Sequence, residues 1–177
     1  DPNLRILHVA ALDDAGSSMR SLLRMQHTVL PGTRRLFRAA AAADVRAPVW
    51  VLTRGAQRIA DGDVVAPEQS CLWGFGRAAA LEAPQLWGGL ADLGAGTAEE
   101  WSALVALISR VTDAGPREDQ LAVRAAGVYV PRLTRRTGQP VTDALPIRSD
   151  ATYLVTGGLG SIGLEIAGHL AARGAGH

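Results

Sequence analysis

Short runs of branched apolar residues alternate with longer stretches of helical apolar spacing over the first 133 residues of the chain. The short runs have the length of strands and are bounded by Asp, Pro or Gly, so each predicts a buried strand. They lie at residues 4–12, 49–53 and 86–93. Helical spacing predicts helices over residues 19–43, with a break or kink at Pro31-Gly32, and over residues 67–83. Strands that alternate with helices predict an α/β fold with a largely parallel sheet.

The best-marked helix start is a capping box, in which Thr97 caps the helix and the Glu100 side chain reaches back to the capping residue. Apolar residues then recur at helical spacing until Gly115-Pro116. The last two apolar runs of this part, residues 120–124 and 128–133, predict short strands that form a hairpin.

The chain turns polar after Leu133. Residues 134–150 contain Arg, Gly and Pro without a hydrophobic period, which predicts a linker. Residues 151–155 predict a new strand that runs into a glycine-rich segment. Residues 164–173 predict a helix that stops at Gly174, so a second unit opens here with a strand, a loop and a helix.

A Gly-x-Gly-x-x-Gly pattern, formed by Gly158, Gly160 and Gly163, lies between this strand and this helix. In that context the pattern predicts a dinucleotide-binding loop. The first two glycines permit a tight turn and close approach to a diphosphate, the third permits close packing of helix on strand, and the helix N-terminus offers N–H donors. A glycine-rich turn without a ligand is the alternative. The predicted cofactor-binding residues are Thr156, Gly157, Gly158, Leu159, Gly160, Ser161, Ile162 and Gly163.

Composition narrows the function classes. The chain has 18 basic and 17 acidic side chains, a formal net charge of +1, and its arginines are scattered, so no nucleic-acid partner is expected. Its apolar stretches are shorter than the roughly 20 residues that cross a bilayer, so no membrane span is expected. Every basic residue is Arg, which leaves no lysine for catalysis. A single cysteine and the lack of a leader pattern predict a cytoplasmic location.

The remaining reactive or aromatic residues are predicted to have no chemical role, the histidines as ordinary surface or core residues and the others as packing residues. The histidines lack metal-ligand spacing, so no metal site is expected; they are His8, His27, His169 and His177. Cys71 lies among apolar residues without an adjacent His, which predicts a buried, unreactive thiol. The tryptophans each fall on the apolar side of a predicted element, which favours core positions over a ligand platform; they are Trp50, Trp73, Trp87 and Trp101.

Five separated segments resemble, in order, the ketoreductase region of modular type I polyketide synthases. They are Leu52-Thr-Arg-Gly-Ala56, Leu72-Trp-Gly-Phe-Gly-Arg-Ala-Ala-Ala-Leu-Glu82, Trp87-Gly-Gly-Leu90 with Asp92, Glu118-Asp-Gln-Leu-Ala-Val-Arg124 followed by Gly127-Val-Tyr129 with Arg132-Leu133, and Val155-Thr-Gly-Gly-Leu-Gly-Ser-Ile-Gly163. The resemblance covers nearly the whole chain.

The resemblance implies two subdomains. Residues 1–133 would be the structural subdomain, with a truncated Rossmann-like fold and no cofactor, and residues 134–150 the linker. Residues 151–177 would open the catalytic subdomain, which is of the short-chain dehydrogenase type and binds NADPH. By resemblance, the parent reduces the β-keto group of a polyketide or fatty acyl chain on an acyl carrier protein, so that carrier and the other synthase domains are its expected partners.

No catalytic residue is carried over from the family. Its catalytic Lys, Ser, Tyr and Asn follow the glycine loop, whereas Tyr129 and Tyr153 both precede it in this sequence. The resemblance therefore implies a fragment cut at both ends and inactive by itself. A non-catalytic structural or interaction module of a synthase and a small independent dinucleotide-binding protein are the alternatives. The acyl substrate, the stereochemistry of reduction and the choice between NAD and NADP are not encoded in these residues.

Overall fold

The computed structural model describes residues 4–13, 18–110, 118–135, 138 and 146–177. The chain forms two compact units, Asp1–Leu133 and Thr134–His177.

The first unit is built on a five-stranded sheet. Its strands are β1 Ile6–His8, β2 Val49–Arg54, β3 Trp87–Leu93, β4 Gln120–Arg124 and β5 Gly127–Tyr129. They lie in sequence order, with parallel pairing from β1 to β4 and an antiparallel β4–β5 hairpin at the edge. The predicted α/β fold with a largely parallel sheet and a terminal hairpin is confirmed.

Helices connect the parallel strands. They are α1 Met19–Arg24, a π-helical turn Met25–Val29, α2 Leu30–Ala42, a 3-10 turn Pro67–Gln69, α3 Ser70–Glu82 and α4 Ala98–Arg110. Of the predicted break or kink at Pro31-Gly32, the break is wrong, because Pro31 lies in the first turn of α2 and the helical run continues through it. A proline has no N–H to donate, and the wide turn before it shifts the bonding register, with Leu30 N donating to Met25 O.

Both faces of the sheet are covered, and β2 shows this most clearly. Val49 and Val51 pack with α2 and α3 on one face, whereas Trp50 and Leu52 pack with α4 on the other. A parallel strand buried on both faces is a continuous apolar run, which is why β2 is readily found in the sequence. The first strand is shorter than predicted, because residues 10–13 form a turn after β1 instead of continuing the edge strand.

The second unit contains α5, Ser161–Ala172. The predicted stop at Gly174 is confirmed: Gly174 has a φ of 87°, its N–H donates to Ala171 O, and the Ala175 N–H donates to Leu170 O. These two bonds and the positive φ form a Schellman motif.

Residues 151–155, predicted as a strand, are not part of a sheet in the described chain. Tyr153 N donates to His177 O (2.8 Å) and His177 N donates to Ala151 O (3.3 Å), which is the bonding pattern of parallel strands at a single residue. A β-strand requires several such bonds in succession, and this segment has only the two bonds to His177.

No helix in the described part of the chain is long and apolar enough to cross a membrane.

The carboxyl ends of the three central strands meet at the fully buried carboxylate of Asp92 on β3. Its Oδ1 accepts from Thr53 Oγ1 and from Ala56 N, both at 2.7 Å. Its Oδ2 accepts from Arg124 Nη2 at 2.8 Å and from Gln57 N at 3.2 Å. Strands β2, β3 and β4 are therefore tied together by one acidic side chain.

We expect Asp92→Ala to lower the free energy of unfolding by about 3–5 kcal/mol, since it leaves the Arg124 guanidinium buried without its main counter-ion. Urea denaturation of the full chain measures this. Asp61→Ala is the control, because the exposed Asp61–Arg58 pair should contribute less than about 1 kcal/mol. Equal losses in the two variants would show that the buried carboxylate has no special role.

Candidate functional site

The glycine-rich loop of the second unit is a pair of tight turns. Gly157 has a φ of 70°, a conformation that favours glycine. Gly158 N donates to Val155 O at 3.2 Å, and Gly160 N donates to Gly157 O at 2.9 Å. These bonds fold the backbone back on itself directly before α5.

Gly163 is the position in this loop where a side chain has no room. A Cβ at this position would meet Gly157 O and would lie 2.6 Å from Gly158 Cα. Gly160 is less constrained, with Gly157 O at 3.3 Å from an added Cβ. The first turn of α5 thus packs directly on the loop backbone, as the third glycine of the pattern predicts.

The N-terminus of α5 is open to a ligand. Its N-cap is Gly160, no side chain caps it among the described residues, and its first turn has no acidic residue. The first intrahelical bond runs from Leu164 N to Gly160 O at 2.9 Å. The N–H groups of residues 161–163 lie ahead of that bond and, with the positive end of the helix dipole, suit an anionic group such as a phosphate.

The other predicted residues of the loop are largely exposed. Thr156 and Ser161 are exposed, so their hydroxyls are accessible to solvent. The side chains of Leu159 and Ile162 are 94% and 76% exposed. The donors of this site are therefore mainly backbone groups and two hydroxyls.

The sequence analysis missed another Gly-x-Gly segment that follows a strand, Gly94-Ala95-Gly96, which joins β3 to α4. Here Glu100 Oε2 accepts from Gly94 N at 3.1 Å and from Gly96 N at 2.7 Å. Glu100 is buried, so its carboxylate fills the position where a loop of this kind would hold an external anion. A Gly-x-Gly directly after a strand with an acidic residue four positions on was the available signal.

The predicted capping box is half correct. Glu100 N donates to Thr97 Oγ1 at 3.3 Å, as expected for a capping threonine. The Glu100 carboxylate, however, takes the N–H groups of Gly94 and Gly96 instead of the N–H of Thr97. The glycine turn presents two donors to one oxygen, which is a better arrangement than the single donor of a capping box.

A hollow of about 420 Å³ lies beside Glu100 at the carboxyl edge of the sheet. Its charged side chains are Asp63, Glu100 and Arg124, and the Arg124 Nε to Asp63 Oδ2 distance is 3.2 Å. Hydrogen bonds from the Ile59 N–H and from Arg124 hold the pKa of Asp63 below its usual range. Burial alone would lower the pKa of Arg124. The hydrogen bonds to Asp92 and Asp63 outweigh this effect, so the pKa of Arg124 is raised. Arg124 and Asp63 are thus paired with each other, whereas Glu100 is held by the backbone N–H groups of Gly94 and Gly96.

The four tryptophans lie in or against the core as predicted, whereas Cys71 is less buried than predicted. Trp50 and Trp73 are buried in the two clusters, and Trp87 and Trp101 pack against them. Cys71 is half-buried, and burial raises the pKa of its thiol. His8 Nε2 lies 2.7 Å from Thr33 Oγ1, and burial lowers the pKa of this histidine. No group of three or more His, Cys, Asp or Glu side chains that suits a metal occurs among the described residues.

Removal of the Glu100 carboxylate should destabilise the first unit by about 1–3 kcal/mol, because two partly buried N–H groups lose their acceptor. We expect Glu100→Ala to show this loss in urea denaturation and Glu100→Gln to show a smaller one, since the amide oxygen still accepts. Glu82→Ala, at an exposed position of α3, is the control. If Glu100→Ala unfolds no earlier than this control, the carboxylate does not support the turn.

The chain matches the family model described as the Rossmann fold domain of polyketide synthase extender module SpnB, over residues 2–133. Among curated proteins it is 40% identical over 174 residues, 97% of this chain, to polyketide synthase GfsA of Streptomyces halstedii. It is 44% identical over 144 residues, 80% of this chain, to erythronolide synthase EryA3 of Saccharopolyspora erythraea. The chain spans 2% and 4% of the length of these two proteins.

The chain is also similar to solved structures of polyketide synthase ketoreductases. A C2-type ketoreductase from a modular polyketide synthase matches with a TM-score of 0.73 and 35% identity, covering 98% of this chain and 37% of that one. A structure of A-type ketoreductases from a modular polyketide synthase matches with a TM-score of 0.67 and 40% identity, covering 79% of this chain and 29% of that one. The chain belongs to the Rossmann fold domain family of polyketide synthase extender modules and is similar to part of a ketoreductase.

Proposed function

We propose that this chain comprises the structural subdomain and the opening of the catalytic subdomain of an NADPH-dependent ketoreductase. The parent would reduce the β-keto group of an acyl chain carried on an acyl carrier protein, in a synthase whose other domains are its partners. The open N-terminus of α5, with its first turn packed on the glycine loop at Gly163, is the observation that carries this proposal. The likeness to ketoreductase structures supports it.

Residues 156–163 would hold the diphosphate of NADPH. The N–H groups of residues 161–163 would donate to phosphate oxygens, and the helix dipole would favour their negative charge. Gly163 would keep the helix end close to the loop, so that these donors converge on one point. When bound, NADPH supplies the hydride that reduces the ketone.

The first unit would serve as the scaffold. Two features support a subdomain without a cofactor: Glu100 takes the donors of the Gly94-Ala95-Gly96 turn, and Arg124 and Asp63 of the adjoining hollow pair with each other. A diphosphate entering here would have to displace a buried carboxylate. We therefore assign residues 1–133 to the structural subdomain, 134–150 to the linker and 151–177 to the start of the catalytic subdomain.

In the intact synthase module that contains this region, we expect Gly163→Ala to weaken NADPH binding by at least tenfold, because the added methyl group pushes α5 away from the loop. Steady-state reduction of a ketone substrate, with NADPH varied, measures this as a raised KM for NADPH.

Gly168→Ala in the same helix is the matched control. A Cβ at Gly168 meets nothing within 4 Å, and alanine favours a helix by about 1 kcal/mol over glycine. This variant should keep the KM for NADPH. A Gly163→Ala module with an unchanged KM would exclude the loop as the diphosphate site.

The chain by itself should bind NADPH no more tightly than about millimolar, because a diphosphate loop supplies only part of the binding energy of a dinucleotide. It should also fail to reduce a ketone, since no proton donor here is assigned to the reacting carbonyl. Titration calorimetry and an NADPH oxidation assay test both statements. A micromolar dissociation constant would favour an independent dinucleotide-binding protein.

A further inference from the structure

A groove with an apolar floor runs between α2 and α3 on the outside of the first unit. Two adjoining hollows of about 680 and 440 Å³ share Arg34, Arg38 and Phe75. The floor includes Phe37 and Phe75, whose ring centroids lie 5.4 Å apart, and small residues of α3. Cys71, the single cysteine of the chain, lines the first hollow.

The rim of this α2–α3 groove is strongly basic. Arg34, Arg35 and Arg38 are exposed, and they form no hydrogen bond or ion pair with any residue that the structure describes. Arg34 and Arg38 lie one turn apart on α2, where two like charges destabilise a helix. The helical stretch Met19–Ala42 has five arginines and no acidic residue, although the whole chain has a net charge of only +1.

The form of the groove indicates the shape of its occupant. Helices α2 and α3 each have 13 residues, which gives a groove of about 20 Å. An α-helix of three to four turns has this length and can place one apolar stripe on the floor. Carboxylates that flank that stripe would lie beside Arg34, Arg35 and Arg38.

We propose that the α2–α3 groove docks an acidic amphipathic helix of another protein or of another domain of the same synthase. Charge complementarity selects this occupant over a second copy of the chain, because a symmetric dimer through α2 would bring the two sets of arginines together. Glu82, which lines the far end of the groove, would repel an acidic residue and so sets the direction in which such a helix lies. The proposal does not depend on the cofactor loop.

The test uses the full chain and a fluorescent, amidated model peptide of about 16 residues, with leucine at helical spacing and glutamate elsewhere. A second peptide has lysine in place of each glutamate. The groove variant is Arg34→Glu/Arg35→Glu/Arg38→Glu. The control variant, Arg20→Glu/Arg135→Glu/Arg173→Glu, makes the same change in net charge at exposed positions outside the groove.

We expect the acidic peptide to bind the native chain and the control variant, and the groove variant at least tenfold more weakly, which corresponds to about 1.4 kcal/mol. Binding should weaken as salt is added, and the lysine peptide should not bind. Equal binding of both peptides, or equal weakening in both variants, would overturn the proposal. Circular dichroism shows whether a variant that has lost peptide binding is still folded. The neutral variant Arg34→Gln/Arg35→Gln/Arg38→Gln shows whether removal of the positive charges is enough to weaken binding.

Cys71 provides a readout at the site itself. The acidic peptide should slow its modification by a thiol reagent in the native chain but not in the groove variant. Binding that leaves this rate unchanged would place the peptide elsewhere and overturn the proposal. Sedimentation of the chain without peptide tests whether a second copy occupies the groove. A dimer in the native chain that is lost in the groove variant would show that it does, and would overturn the proposal.

Discussion

The first unit depends on the buried carboxylate of Asp92. A fully buried charge is tolerated only when its oxygens are all hydrogen-bonded and an opposite charge is near, and the carboxyl ends of the neighbouring strands supply both. Thr53 and the turn after it come from β2, and Arg124 comes from β4. Since Trp73 of α3 also donates to Thr53, one carboxylate fixes the register of three strands and the position of a helix.

The same principle distinguishes the Gly94-Ala95-Gly96 turn from the glycine-rich loop before α5. Both follow an apolar segment and precede a helix, and both present backbone N–H groups at the helix start. In the first unit the Glu100 carboxylate accepts from these groups, so the turn is closed and rigid. In the second unit the N–H groups of Gly158 and Gly160 donate to backbone carbonyls within the loop, and the first turn of α5 has no acid, so the N–H groups of residues 161–163 remain available. A single acidic side chain thus separates a structural turn from a candidate anion site.

The sequence predicted those elements whose formation depends on local pattern. Strand β2 and helix α3 were found to within a few residues, because one is an apolar run buried on both faces and the other ends at a proline. Residues 151–155 have an equally apolar pattern, but a strand needs a neighbour, and pairing is decided by distant residues. The bond between Asp92 and Arg124 joins residues 32 positions apart, so no local pattern signals it. The bonds of Glu100 to Gly94 N and Gly96 N were missed, because Thr97 and Glu100 also have the spacing of a capping box. The sequence does not show which backbone N–H groups the carboxylate accepts from.

The exposed apolar side chains of the second unit follow from its topology. Leu164 and Ile166 of α5 are about half exposed, and Leu154 and Leu159 before it lie almost wholly in solvent. A helix that connects parallel strands buries its apolar side on the sheet that those strands form, and each such side chain gains about 1.5–3 kcal/mol when fully buried. The bonds of His177 to residues 151 and 153 mark the place where a second parallel strand aligns with the first. Among the residues of α5 only Gly163 is buried, so this helix packs on the backbone of the glycine loop rather than on a sheet.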